Sequence, residues 1–357
     1  MSTLIVEAGY PVKVIEHPNA DRMKVAYWKG WACCVGLTMT TETFCVYLQP
    51  DTLLTHELAD TLNVTQYLKK LGKDYPDREK WAGRIGVANL RSVKSYGLLV
   101  PVREEWLPHL DNLQEYLGVE KYDPPEKISA GDSERDTVYF HKYTNIENLR
   151  NYPDTFEEGE MVIVTEKIHG ANCRVGYCPE SDGEDWKWMA GSHGVRRRET
   201  LPESDKVSLY WQPFVWCEDM KKMIEAIHIR YDCASVIVFG EIYGSGVQDL
   251  AYGLQNSEKT FRAFDISVNG EYLNYEEFAM WCNVYGIPTV PILLRGPFGW
   301  DYMENLAEGE TALTENGQIR EGIVIRPLKE EATLQGRKIR KLIGFGYLNR
   351  KGGTEDH

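Results

Sequence analysis

The chain has no apolar run long enough to cross a bilayer, so no membrane partner is expected. Its first residues, Met1-Ser2-Thr3-Leu4-Ile5-Val6-Glu7, carry neither a basic region nor a cleavage-site pattern, and no signal peptide is expected. The eight cysteines include no C-x-x-C pair and no spacing with histidine suited to zinc. They read as reduced, mostly buried thiols of a cytoplasmic protein. Internal repeats and low-complexity tracts are also missing, which excludes solenoids and disordered arrays. Positive charge is scarce: 40 basic against 54 acidic residues leave a net charge of −14. That argues against a nonspecific nucleic-acid binder, although a local basic groove remains open to an acidic protein.

What is present fills 357 residues, enough for two domains. The expected class is α+β. Short β-like runs at 11–16, 23–27, 31–35 and 43–48, with more strand character over 81–102, predict a small β-barrel in residues 1–120. Residues 54–72 read as helix. Trp28, Trp31, Trp81 and Tyr96 suit either base stacking or core, with core favoured for most of them. His17-Pro18-Asn19-Ala20-Asp21 is similar to a segment of OB-type RNA-binding modules, and it also fits a plain Pro-Asn turn. Residues 121–138, rich in Pro, Asp, Glu, Lys, Ser and Gly, read as a linker. From 139 to 357 strands and helices alternate. Helices are expected over 210–230, broken at Pro213, and over 275–284.

One stretch carries the chemistry: Val162-Ile163-Val164-Thr165-Glu166-Lys167-Ile168-His169-Gly170-Ala171-Asn172-Cys173-Arg174. An apolar strand ends on a lysine, a glycine follows, and a second alternating run begins. Taken alone, K-x-x-G fits a surface hairpin with a solvated lysine. Four further segments lie downstream. Val236 to Phe239 form an apolar strand leading to Gly240-Glu241, and a charge ending such a strand needs a partner. Phe261-Arg262-Ala263-Phe264-Asp265-Ile266 offers two aromatics. Glu321-Gly322-Ile323-Val324-Ile325-Arg326 opens another buried strand with a carboxylate. Lys341-Leu342-Ile343-Gly344 ends the series.

In this order the five segments resemble motifs I, III, IIIa, IV and V of the covalent nucleotidyltransferases: DNA ligases, RNA ligases and mRNA capping enzymes. The resemblance implies a C-terminal domain of antiparallel sheets with flanking helices, an ATP-grasp-like adenylylation fold. It implies that Lys167 attacks a nucleotide α-phosphorus. Nucleotide contacts are implied for Glu166, Ile168, Asn172, Arg174, Glu241, Phe264, Glu321 and Lys341, with Phe264 stacking on adenine. Glu321 would hold Mg²⁺ or Mn²⁺ through water. Lysine is ordinarily protonated at neutral pH, with a pKa of about 10.4, so it needs nearby cations to act as nucleophile. Lys341 and the metal would supply them. The histidine in Glu166-Lys167-Ile168-His169-Gly170 is most similar to nick-sealing RNA ligases. His169 is therefore expected to act, together with Lys167 and Lys341, in catalysis after lysine adenylylation.

Two departures stand out. His193 in Gly191-Ser192-His193 replaces an arginine common in the superfamily, leaving Arg196 or Arg197 as substitutes. Ile343 stands where a second motif V lysine is common, leaving Lys338 or Arg340. The runs Arg196-Arg197-Arg198 and Arg337 to Lys351 (no carboxylate from 336 to 351) fit a solvated face or a phosphate-binding face. Only a short tail follows Lys341, and the β-rich module comes first. That order resembles template-dependent RNA ligases with an N-terminal OB domain. The expectation is an ATP-dependent, monomeric enzyme sealing an RNA 3′-OH to a 5′-phosphate at nicks in duplexes. A DNA ligase, a guanylyltransferase and a catalytically inactive RNA-binding protein are the alternatives.

Overall fold

The computed structural model describes residues 3–4, 6–123, 132–183, 185–201, 206–350 and 352–354. Residues 124 to 131 of the expected linker lie outside them. The chain is a mixed α/β protein of antiparallel sheets with few helices. It divides into two compact units. The first takes Met1–Glu126, Ile146–Phe156 and Leu342–His357, and the second Lys127–Asn145 and Glu157–Lys341. This division does not coincide with the sequence boundary at 139.

In the first unit, Lys13–Glu16, Lys24–Trp28 and Trp31–Val35 form one antiparallel sheet. Cys45–Leu48 lies between Val6–Gly9 and Leu98–Pro101 in a second. Thr52–Thr55 lies between Glu120–Lys121 and Trp81–Arg84 in a third, and Val87–Leu90 pairs with Val93–Tyr96. No closed barrel ladder joins these sheets among the described residues. Trp28, Trp31, Trp81 and Tyr96 are all buried, so the core reading of these aromatics holds. The expected helix over 54–72 shrinks to His56–Thr61: the sheet claims Thr52–Thr55 at one end, and at the other Lys69 exchanges backbone hydrogen bonds with Arg84. Thr55 Oγ1 caps that helix by accepting the Leu58 N–H at 3.3 Å. His17 bonds the Leu90 carbonyl at 3.0 Å, and Asn19 donates to the Arg91 carbonyl at 2.8 Å. The Pro-Asn turn is thereby tied to a neighbouring hairpin.

The second unit is built on two sheets. The larger has seven strands in the order Ser133–Glu134, Arg196–Arg197, Trp186–Ser192, Ala171–Pro179, Val236–Gly244, Lys259–Val268 and Glu271–Tyr272. In the other, Met161–Lys167 runs antiparallel to Ile292–Pro297 on one side and Gly322–Pro327 on the other, with Arg340–Ile343 beside the latter. The helix Met220–Tyr231 buries Met220, Met223, Ile224 and Ile227 against Val236, Val238 and Ile242. It is preceded by the short turns Leu209–Trp211 and Pro213–Trp216, so the expected break at Pro213 is present. The helix Tyr275–Val284 buries Phe278 and Cys282 in the same core. Among the described residues no helix is long and apolar enough to cross a membrane.

Candidate active site

Val162, Ile163 and Val164 are fully buried, so the strand Met161–Lys167 is held from both faces and from both edges. It delivers Lys167 at its end, opposite Gly322. Ile168, His169 and Gly170 then carry the chain into the strand Ala171–Pro179 of the larger sheet. A Cβ on Gly170 would stand 2.2 Å from the Ile242 carbonyl oxygen, so only glycine allows this crossing.

Glu321 precedes Gly322, and its carboxylate is fully buried. Oε1 accepts from Lys167 Nζ at 2.6 Å. Oε2 has no hydrogen-bond partner and lies 3.9 Å from His169 Nδ1. Glu241 stands opposite Asn172 on the adjoining strand. Burial pushes its carboxyl up to about 8 against the pull of Lys167, and the Glu321 charge adds to the rise. The Lys167 amine therefore pairs with Glu321 and also acts electrostatically on Glu241, from a side chain that keeps 18% of its surface exposed. The buried His169 ring has its pKa lowered by burial, against the opposing charges of Glu321 and Asp249. Its Nε2 lies 2.6 Å from Asp249 Oδ1, and its backbone N–H donates to Tyr252 Oη at 2.6 Å.

The unpartnered Glu321 oxygen suits a hydrated divalent cation held through water. No cluster of three or more His, Cys, Asp or Glu able to cage an ion occurs among the described residues.

The remaining predicted site residues divide into groups. Phe261 is fully buried in the core, packed where a Cβ on Gly240 would meet its ring at 2.2 Å. Phe264 is only partly buried, edge-on to Tyr143 at 4.9 Å. The ladder explains the difference. Phe239 pairs with Asp265 and Gly240 with Ala263, so Phe264 is the extra residue of a β-bulge. Ile168 is buried, and the Oδ1 of Asn172 is buried without a hydrogen-bond partner. Glu166 is buried, accepting from Thr311 Oγ1 and, at 2.8 Å, from the Ala312 N–H; burial raises its pKa. Arg174 is fully buried and donates to the Ser192 and Phe140 carbonyls and to Asp136 Oδ2 at 2.7 Å. Lys341 is buried on its strand.

Four members of the basic runs are committed to ion pairs. Arg196 makes a bidentate pair with Glu180, both bonds 2.8 Å, and Arg197 pairs with Asp132. Arg337 bonds Asp265 at 2.9 Å and Glu330 at 2.7 Å, and Lys338 bonds Glu160 at 2.7 Å. Burial, with the charges of Arg174 and Lys142, brings the His193 pKa down to about 4. Sequence reading did not single out Asp249 as the partner of His169, nor Tyr252, Thr311, Ala312 and Gln318. Asp249 sits in the noted Ser245-Gly246-Val247-Gln248-Asp249 segment, and Tyr252 takes a positive φ of 53° that no pattern announced.

The family model for RNA ligase matches residues 160–343, the span that holds Lys167, Glu241, Phe264, Glu321 and Lys341. The chain belongs to the RNA ligase family. No curated protein matches it by sequence. Among solved structures, this RNA ligase is similar to a Naegleria gruberi RNA ligase. A lysine-to-alanine mutant of that enzyme with ATP and Mn superposes at a TM-score of 0.76, is 20% identical, and covers 96% of this chain and 98% of that one. An arginine-to-alanine mutant with ATP and Mn gives 0.76 at 22% identity, covering 97% and 98%. The same enzyme with PPi gives 0.73 at 22%, covering 97% and 98%. At this identity the likeness establishes a shared fold over nearly the whole chain.

Proposed function

We propose that this RNA ligase uses ATP and seals nicks in duplexes, joining an RNA 3′-OH to a 5′-phosphate through a lysyl-AMP at Lys167. The observation that carries the reading is the 2.6 Å contact between Lys167 Nζ and the fully buried Glu321, beside Glu241 and His169. The Naegleria gruberi structures with ATP and Mn support the choice of nucleotide and metal.

First, Lys167 gives up a proton, for which Glu321 Oε1 is the acceptor in contact. Its lone pair attacks the α-phosphorus of ATP, and the bond to the β-phosphate breaks with release of pyrophosphate. Phe264, raised from the core by its bulge, offers a face to the adenine, and Glu166 lies before the nucleophile to meet the base edge. Ile168, Asn172 and Arg174 line and brace the nucleotide site, and Glu241 accepts from the ribose. Lys341 places a fixed positive charge where negative charge grows. A Mg²⁺ or Mn²⁺ at Glu321, held through water, would supply further charge neutralisation there.

In the second step a 5′-phosphate oxygen of the nick attacks the same phosphorus, and Lys167 leaves. In the third, the RNA 3′-OH attacks the 5′-phosphorus and AMP departs. His169 orients the 5′-phosphate or the 3′-OH in these later steps. Its burial favours the uncharged imidazole, which can accept a hydrogen bond. Residues 1–120 act as an OB-like module gripping the nucleic acid, 121–138 as a linker and 139–357 as the adenylylation domain. The free cysteines, seven of eight buried, accord with a reducing, cytoplasmic setting.

Mass spectrometry after incubation with ATP and Mg²⁺ tests this. An AMP adduct on Lys167, absent from Lys167→Ala, is expected; a GMP adduct from GTP would indicate a guanylyltransferase. Preferential sealing of nicks with a DNA rather than an RNA 3′-OH would indicate a DNA ligase. No adduct at all would overturn the reading.

A further inference from the structure

Two groups from one segment hold His169. Tyr252 Oη accepts its backbone N–H, and Asp249 Oδ1 meets its ring Nε2, both at 2.6 Å. The segment itself is anchored. Ser245 N–H donates to the Glu258 carbonyl at 2.9 Å, Gln248 Nε2 to the Gly170 carbonyl at 3.4 Å, and Tyr252 N–H to Gln318 Oε1 at 2.9 Å. Asp249 is about half exposed, at 55%, while the ring it touches is fully buried. A carboxylate in that contact can only accept, so the proton of the pair sits on Nε2. That fixes the tautomer and turns Nδ1 toward Glu321, whose Oε2 is 3.9 Å away. A half-exposed carboxylate reaching inward to a buried imidazole has little to gain in packing; what it sets is the direction of the ring.

We propose that Asp249 is a positioning residue: it holds His169 as the Nε2–H tautomer with Nδ1 presented to the reacting groups beside Glu321. This rests on the reading above in which His169 serves the steps after lysine adenylylation. Asp249 needs no contact with the nucleic acid for this role. It acts through the ring.

The test uses the full chain and a nicked duplex whose 5′-phosphate already carries AMP. Single-turnover sealing is compared for wild type, Asp249→Ala, Asp249→Asn and His169→Ala, each checked first for a normal melting transition. Asp249→Ala is expected to slow sealing about tenfold or more. Asp249→Asn, whose amide oxygen still accepts from Nε2–H, is expected to recover most of the rate. In ¹⁵N-histidine spectra, assigned with His169→Ala, the His169 signals should show a protonated Nε2 in wild type and Asp249→Asn, and should lose that signature in Asp249→Ala. Wild-type sealing by Asp249→Ala, or unchanged His169 signals in it, overturns the proposal. If His169→Ala itself seals normally, the role given to His169 fails, and the spectra still decide whether Asp249 fixes the ring.

Discussion

Lys167 Nζ lies 2.6 Å from Glu321 Oε1 because the strand Met161–Lys167 ends opposite Gly322. The pairing sets the Lys167 amine at the end of one strand against a carboxylate at the start of its neighbour. Glu321→Gln keeps the shape and removes the charge. Adduct formation at Lys167 is expected to fall about 10²–10³-fold, as for loss of one preorganised electrostatic group. Burst measurements with labelled ATP give that rate directly, and a fall of less than threefold would show that the carboxylate charge is idle.

The two phenylalanines of one strand should behave as opposites. Phe261 is fully buried, and Phe261→Ala is expected to cost about 3–5 kcal/mol of stability in denaturant unfolding. Phe264→Ala should leave the melting transition nearly unchanged and weaken ATP binding by about 1–3 kcal/mol, the size of a lost stacking contact. Calorimetry with ATP separates these outcomes; equal effects of both changes on stability would contradict the division of labour.

Asp265 is fully buried between Arg326 at 3.5 Å, Arg337 at 2.9 Å and the Tyr143 hydroxyl at 2.9 Å. Asp265→Ala takes one of two carboxylate partners from each of two guanidinium groups, leaving Glu330 to both, and should destabilise the protein by about 3 kcal/mol. Arg337 is thereby a structural cation. Arg337→Gln should lower the melting midpoint and leave the salt dependence of RNA binding as it is in wild type. A shallower salt slope would instead mark it as a phosphate contact.

Lys69 in the first unit donates to the Leu348 carbonyl at 2.6 Å. Burial, reinforced by the Arg84 charge, brings its pKa down to about 8 from 10.5. Between those values the unfolded chain binds more protons than the folded one, so stability rises with pH across that window. Below about 8 the penalty of burying the charge is present in full. The difference in unfolding free energy between wild type and Lys69→Met should therefore shift in favour of wild type from pH 8 to 10.5. Parallel curves would refute the assignment.

The strands that deliver Lys167, Glu241 and Glu321 are legible because each is an apolar run next to a charge, trailing for Lys167 and Glu241 and leading for Glu321, a pattern that survives without knowledge of neighbours. The partners of those charges are not. Asp249 and Tyr252 reach His169 from a loop about 80 residues away, by separations of 80 and 83. The start of the Arg337 to Lys351 run reads as a basic face because the groups that neutralise Arg337 and Lys338, namely Asp265, Glu330 and Glu160, lie elsewhere in the sequence. The first-unit helix was over-read for a similar reason: ladder pairing outcompeted local helix preference at Thr52–Thr55.

The bulge at Phe264 has a consequence for how this protein can change. Deleting that single residue would remove the register shift between the two strands and let them pair more regularly than they do now. Under the proposed function, the face offered to adenine would vanish with it. Selection for a sturdier sheet and selection for a working enzyme therefore pull in opposite directions at this one position.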